Sequence, residues 1–402
     1  MKLTLEDNKG IPSSLLWTLA IISGISVANL YYNQPLLNRI SEDLNVSEFT
    51  ANLIPMVTQI GYALGLLFII PLGDLYKRKH IIVTNFLLLA LSMFGFAISS
   101  HIYFTLAVSL ITGICSVMPQ IFIPIAAQFS QPEKKSQNIG ILVSGLLTGI
   151  LGSRVVSGIV GEYWGWRTMY YIAAILMLLS ILVVIRTLPN MPVNYKGTYW
   201  GLMKSVFSFI KDNATLRMVS ARAGLCFGCF LSLWACLAFK MSGEPFYAGN
   251  NIIGMLGLCG IAGAMTASLV GKYVRILGVR KLNYIGCSIM ILSWIILYVF
   301  QNSYIGIIAG IILIDIGMQC VQLSNQTCAL SLAPHASNEY NFHDHLLFRW
   351  IVGNIPCRKF LATVWLARSY QYRSCFNRDF FINYDFLQEM SQQNGRSNRL
   401  LQ

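Results

Sequence analysis

Charge is what this sequence has least of. Only 11% of its 402 residues are Asp, Glu, Lys or Arg, against about 25% in a soluble domain, so the chain cannot cover a water-facing surface. An ordinary cytosolic enzyme is excluded, and so is intrinsic disorder, which requires high charge and low hydrophobicity. Glycine and proline, at 32 and 12 residues, fall short of a collagen-like composition. No short apolar region followed by a small-residue cleavage site opens the chain, so its first apolar run reads as an uncleaved span. The ten cysteines build no disulfide framework: Cys115, Cys226, Cys229, Cys259, Cys287 and Cys320 lie inside apolar runs, where a thiol acts as a small hydrophobe. Cys226 and Cys229 make one C-x-x-C without a second pair or flanking polar ligands, so no metal site is expected. No nucleotide-binding glycine loop of the Walker type is present either, which argues against an ATP-driven pump. No cofactor is expected.

What is present is apolar sequence in long runs. Apolar residues make up 55% of the chain and the mean hydropathy is +0.59. A membrane-spanning helix needs roughly 20 such residues. Uncharged stretches cover 10–38, 49–73, 80–132, 136–153, 168–185, 223–239, 245–271, 282–314 and 316–338. Ser99-Ser100-His101 divides the third and Gln301-Asn302-Ser303 the eighth. Ten helices are therefore expected near 13–37, 50–72, 80–98, 103–128, 138–161, 168–186, 220–241, 250–271, 282–300 and 304–329.

Alternate connections differ in charge. One set holds Lys77, Arg78, Lys79, Lys134, Lys135, Arg186, Lys196, Lys204, Lys211, Arg217, Lys272, Arg275, Arg280 and Lys281; the other holds only Arg39, Arg167 and Lys240. Basic residues accumulate in cytoplasmic loops, which puts the N-terminus in the cytoplasm. The same rule accounts for the net charge of +13 without nucleic acid. The lipid bilayer is the partner. Between spans six and seven, Lys204, Lys211 and Arg217 alternate with apolar residues at roughly helical spacing, an amphipathic helix lying on the inner leaflet. The expected division is a six-helix half at 1–186, a linker at 187–219, four further spans at 220–335 and a tail at 336–402.

The two halves repeat. Arg78-Lys79 match Arg280-Lys281, Gln120 matches Gln322 and Pro132 matches Pro334, all at an offset of 202 residues. Weak internal symmetry of this kind is a mark of transporters. Tyr31 through Leu37 read Tyr-Tyr-Asn-Gln-Pro-Leu-Leu at the end of span one. Gly73, Asp74, Arg78 and Lys79 follow span two, and Gly145, Gly149, Gly152, Arg154, Ser157, Gly158 and Gly165-Trp166-Arg167 belong to span five and its end. With these motifs the chain resembles the major facilitator superfamily, and within it a branch of bacterial efflux permeases. The resemblance covers about 1–338. It implies an all-α polytopic protein of two six-helix halves working by alternating access in the inner membrane, with spans one, four, seven and ten lining a central cavity. Leu75 and Lys77 depart from the loop motif. Ile150 follows Gly149 where antiporters of the superfamily usually carry proline, so antiport does not follow from that position.

Ionisable groups inside a membrane are expensive and need a reason. Two stand out, Asp315 in span ten and Arg154 in span five. Asp315, Gln319, Gln322 and Gln326 are spaced i, i+4, i+7, i+11 and share one helix face. Span one offers Ser26, Asn29 and Asn33 with Tyr32 nearby, and span four offers Gln120. These residues either line a substrate and proton pathway or hydrogen-bond between helices. A carboxylate at the depth of Asp315 can carry a proton and couple transport to the proton gradient. Arg154 can hold an anionic substrate group, oppose protonation of Asp315, or lock the halves as a structural ion pair. In the turns, Gly73, Asp74, Arg78, Lys79, Arg280 and Lys281 either latch the cytoplasmic side or mark topology. Gly145, Gly149, Gly152 and Gly158 permit close helix approach, whether for a sliding interface or for tight packing. Tyr31, Tyr32, Phe122, Phe227 and Trp234 are candidates for an aromatic pocket or for plain packing.

From about residue 336 the character changes. The last 67 residues hold eight of the 29 Lys and Arg, and no run reaches span length, which is the pattern of a soluble tail or of a lost reading frame. Read one base later from Phe342, His343 becomes Met or Thr, Asp344 becomes Ile or Thr, and Trp350 becomes Gly. Trp365 also becomes Gly and the next codon can become Trp, 200 residues after Gly165-Trp166. We read a frameshift near 337–342 that destroyed spans eleven and twelve. The expected function is secondary, proton-coupled efflux of small organic solutes, drug- or sugar-like, by a monomer. A non-transporting remnant or an importer of the same superfamily is the alternative. An intramembrane enzyme would need paired catalytic groups at depth, and only Asp315 and Arg154 are there.

Overall fold

The computed structural model describes residues 5–191 and 197–339. The reading of a shifted frame after residue 339, with the fate of spans eleven and twelve, lies outside the described residues. Helices account for the fold: α1 Ser13–Ala28, α2 Leu37–Asp43, α3 Glu48–Phe68, α4 Leu72–Leu75, α5 Arg78–Ala97, α6 Ile102–Cys115, α7 Pro119–Phe129, α8 Lys135–Trp164, α9 Trp166–Thr187, α10 Tyr199–Asp212, α11 Ala214–Ser242, α12 Asn250–Leu256, α13 Gly260–Val299 and α14 Tyr304–Glu339. Eight stretches among the described residues are long and apolar enough to cross a membrane; at the other two of the ten expected spans stand shorter apolar helices, Ser13–Ala28 and Asn250–Gly263.

Local chemistry sets the boundaries. Ser47 caps α3 by accepting the Thr50 N–H at 3.2 Å. Span four is not continuous as expected but breaks between α6 and α7, where Pro119 cannot donate to the preceding turn and so begins a new helix. Span one stops as α-helix at Ala28 and resumes as a short 3-10 turn at Gln34–Leu36 around Pro35. Gly165, at φ +82°, separates α8 from α9. The basic segment before span nine is not a long loop. It stays helical on both sides, and Gly278 at φ +76° makes the corner alone.

Packing follows the repeat. In the first half α1 lies on α8, α3 on α6 and α5 on α9; in the second, α13 packs on α14 and α14 on α11. The expected amphipathic helix is α10. It buries Leu202, Met203, Val206 and Phe209 and leaves Lys204 and Lys211 exposed, while the Tyr199 hydroxyl donates to the Phe68 carbonyl at 3.1 Å. The two halves meet near the end that carries Asp43 and Tyr247. There α12 crosses α8, and α11 touches α2 and the Gln34 turn. The opposite half of α8, toward Lys135, borders a cleft of about 580 Å³ shared with α1.

Candidate functional site

The two membrane-embedded charges come together. Arg154 precedes the end of α8 by ten residues and Asp315 follows the start of α14 by eleven. At 1.5 Å per residue they sit at the same depth. Arg154 is 3% exposed and Asp315 7%. The Arg154 Nε–H donates to Gln34 Oε1 at 2.7 Å. Its guanidinium lies 3.8 Å from the Trp234 ring centroid and 5.2 Å from that of Tyr31. Arg154 and Gln34 belong to the first half and Trp234 to the second, so this cation–π stack bridges them. Such contacts contribute about 2 kcal/mol or more when desolvated.

Glycines of span eight form the floor. A Cβ placed at Gly257 would lie 2.9 Å from the Cβ and Cδ of Arg154; one at Gly263 would lie 2.9 Å from the Asp315 Cβ; one at Gly260 would lie 3.8 Å from Asp315 Oδ2. Only a backbone without side chains lets both charges approach this closely. Among the described residues, Asp315 Oδ2 and the Trp234 Nε1–H are buried without a hydrogen-bond partner.

Just outward of the charges the halves are joined backbone to backbone. A methyl at Gly158 would drive into the Asn250 carbonyl oxygen, and one at Gly254 into that of Arg154. Glu162 of α8 accepts the Asn250 backbone N–H at the start of α12 at 2.8 Å, and Arg39 stands 3.9 Å from the same carboxylate. Inward, the cleft is walled on α8 by Gln137, Ser144 and Thr148, which share a face and are exposed. Thr148 precedes Arg154 by six residues, and Gly152 between them has open space where a Cβ would stand.

Other candidate residues lie elsewhere. Gln319, Gln322 and Gln326 are half-buried along α14 below Asp315. Asn29 donates to the carbonyls of Ile25 and Ser26 and to the Met177 sulfur of α9. Tyr32, also buried, lies near the Tyr170 hydroxyl of α9. Gln120 donates to the Tyr62 hydroxyl at 2.6 Å. These three engage partners inside the first half and are not gathered around Asp315. Asn33 and Ser26 are buried with Asn33 Oδ1 and the Ser26 hydroxyl unpartnered. Gly145 and Gly149 pack on Ala20 and Gly24 of α1, within one half. Gly152 packs on nothing, and among the four span-five glycines the crossing of the halves falls on Gly158.

The turn after span two is a buried network. Asp74 and Arg78 are each 2% exposed and 3.7 Å apart. Arg78 also donates to the Gly73 carbonyl and, at 2.9 Å, to Gln128 of α7. Gln128 in turn donates to Asp7. Lys79 donates to the Ile185 and Leu188 carbonyls at the end of α9. At the repeat-related position Arg280 is exposed and faces the Tyr284 ring at 5.9 Å, and Lys281 is exposed too. The cause is local: the second turn has Ile276 where the first has Asp74, so no acid draws its arginine inward.

Sequence reasoning passed over Gln34, Glu162 and the glycines of span eight. Gln34 was visible only as one letter of a motif, and Glu162 is an acid at the margin of an apolar run. It also passed over the Asn283–Asn325 amide pair joining spans nine and ten, with N···O distances of 3.3 and 2.7 Å.

The profile of the family described as Major Facilitator Superfamily matches residues 16–341. An "Uncharacterized transporter YgaY" of Escherichia coli O157:H7 is 35% identical over 333 residues, 83% of this chain and 84% of that protein. A "Probable transporter SCO4007" of Streptomyces coelicolor is 25% identical over 80% of this chain and 75% of its own. Among solved structures, a bacterial homolog of the human lysosomal transporter Spinster, inward-facing and unoccupied, aligns with a TM-score of 0.66 at 16% identity, covering 86% of this chain and 81% of that one. A mutant form of the nucleoside transporter NupG aligns at 0.65 and 14%, covering 90% and 100%.

Proposed function

The chain belongs to the major facilitator superfamily, and on that premise we propose that it is a proton-coupled exporter of small organic solutes with Asp315 as its proton carrier. One observation carries the reading. Asp315 is buried at membrane depth with a carboxylate oxygen that has no hydrogen-bond partner among the described residues, opposite a buried arginine from the other half. A charge there costs energy in any one state, and the cost is recovered when protonation and solute binding alternate. The halves touch on the side of α2 and α12, whereas the half of α8 toward Lys135 borders a cleft that it shares with α1; contact at one end supports a carrier that opens at the other. With the N-terminus in the cytoplasm, that side is the cytoplasm, and the membrane is the inner membrane of a bacterium. The protein works as a monomer. The turn of Gly73, Asp74, Arg78 and Lys79, together with Arg280 and Lys281, closes the cytoplasmic side in the opposite state.

The test is flux in proteoliposomes under an imposed proton gradient. Export by the unaltered chain should rise at least tenfold when the gradient is imposed, and Asp315→Asn should abolish that rise. A rate indifferent to the gradient in the unaltered chain would remove the proton from the mechanism.

A second reading has its own support. The family match stops at residue 341, where the sequence changes character. On that reading the chain is a transporter remnant made by a frameshift, and it moves solute weakly or not at all.

A further inference from the structure

The buried site holds one positive and one negative group whose polar capacity is not spent on each other. Gly257, against Arg154, and Gly260, against Asp315, are three residues apart on one segment, a step of roughly 4.5–6 Å. Yet among the described residues no Lys or Arg nitrogen lies within 4.0 Å of the Asp315 carboxylate. Arg154 has its Nε–H on Gln34 and one face on Trp234. Its two Nη groups, the fork that grips a carboxylate with two parallel hydrogen bonds, make no hydrogen bond among the described residues.

Electroneutrality decides what fits between them. A solute carrying only a carboxylate would satisfy Arg154 and set a second anion beside Asp315. A solute carrying only an amine would do the reverse. Either leaves a buried charge uncompensated, which is the costly case. A solute carrying both pairs each charge and brings no net charge into the membrane. We propose that this site takes a small zwitterion of the amino-acid kind, with its carboxylate forked on Arg154 and its ammonium on Asp315. The assignment rests on the transport reading above and narrows its substrate class. The cleft between α1 and α8, about 580 Å³ in volume, has Gly149 in its lining, five residues before Arg154 on the same helix.

The experiment compares three probes on the purified full-length chain by titration calorimetry: phenylalanine, phenethylamine, which lacks the carboxylate, and 3-phenylpropanoate, which lacks the ammonium. Phenylalanine should bind at least tenfold more tightly than either. Asp315→Asn should erase its advantage over 3-phenylpropanoate, and Arg154→Gln its advantage over phenethylamine. The comparison on the unaltered chain stands without any variant, so a variant that fails to fold leaves it intact. Binding of 3-phenylpropanoate as tight as that of phenylalanine, or binding of none of the three, overturns the assignment. Proton-driven flux of an uncharged solute without phenylalanine binding overturns it as well, leaving the transport reading in place. Phenylalanine binding without flux supports the assignment and removes the transport reading.

Discussion

Arg154 is held by three different forces: a hydrogen bond to Gln34, the face of Trp234, and a glycine floor that nothing larger fits. A lysine would keep the charge and lose both the fork and the stack. Arg154→Lys should therefore lower solute affinity at least tenfold, read by the same titration, while the protein remains folded. Arg78 poses a different case. It is buried with Asp74 inside one half, so Arg78→Ala takes the cation from beside a buried acid and should cost about 3–5 kcal/mol of stability, measured as a lowered thermal midpoint in detergent. Asp315 and Arg154 were legible because a charge in an apolar run has few reasons to exist. Asn29 shares a polar face with Ser26 and Asn33, with Tyr32 nearby and Gln120 on span four, but sequence cannot say whether such groups look at water or at the next helix. The structure turns Asn29 and Tyr32 to α9 and Gln120 to Tyr62.

Among the helices, length and hydropathy marked the eight that are long and apolar enough to cross a membrane, because a bilayer imposes one length on each crossing; at the other two expected spans the apolar helices are shorter. What they did not mark was interruption. The break at Pro119 and the 3-10 turns at Gln34–Leu36 and Gly257–Cys259 replace regular helix, and both turns stand against Arg154. The glycines separate into two kinds by what they touch. Gly149 seats α8 on Gly24 of α1 within one half, whereas Gly158 seats it on α12 of the other. Gly149→Leu should destabilise the first half by about 1–3 kcal/mol through overpacking, seen as a lower thermal midpoint. Gly158→Leu should instead hold the halves apart. A cysteine introduced at Asn250 in that background should react with a membrane-impermeant maleimide at least tenfold faster than in the parent, and unchanged labelling would refute the assigned crossing.

Across the whole molecule, the sequence repeat at 202 residues is met by the pairing of α3 with α6 in one half and α13 with α14 in the other, and of α1 with α7 and α11 with α14. The repeat is unequal where it matters to stability, since only the first basic turn has its acid. The tail belongs at this scale too. The DNA around codons 335–345 should contain an uninterrupted apolar frame one base away, and a chain with that frame restored should transport at least tenfold faster than the present one. Equal rates in the two chains would show the tail to be a tolerated extension. The crossing of Gly158 over Gly254 has one more consequence. In the proposed carrier cycle, a fulcrum made of bare backbone would have no rotamers to reorganise as one half swings on the other. Selection can then remodel the cargo pocket around it residue by residue, while the hinge itself keeps the same swing and wears the same way for every cargo.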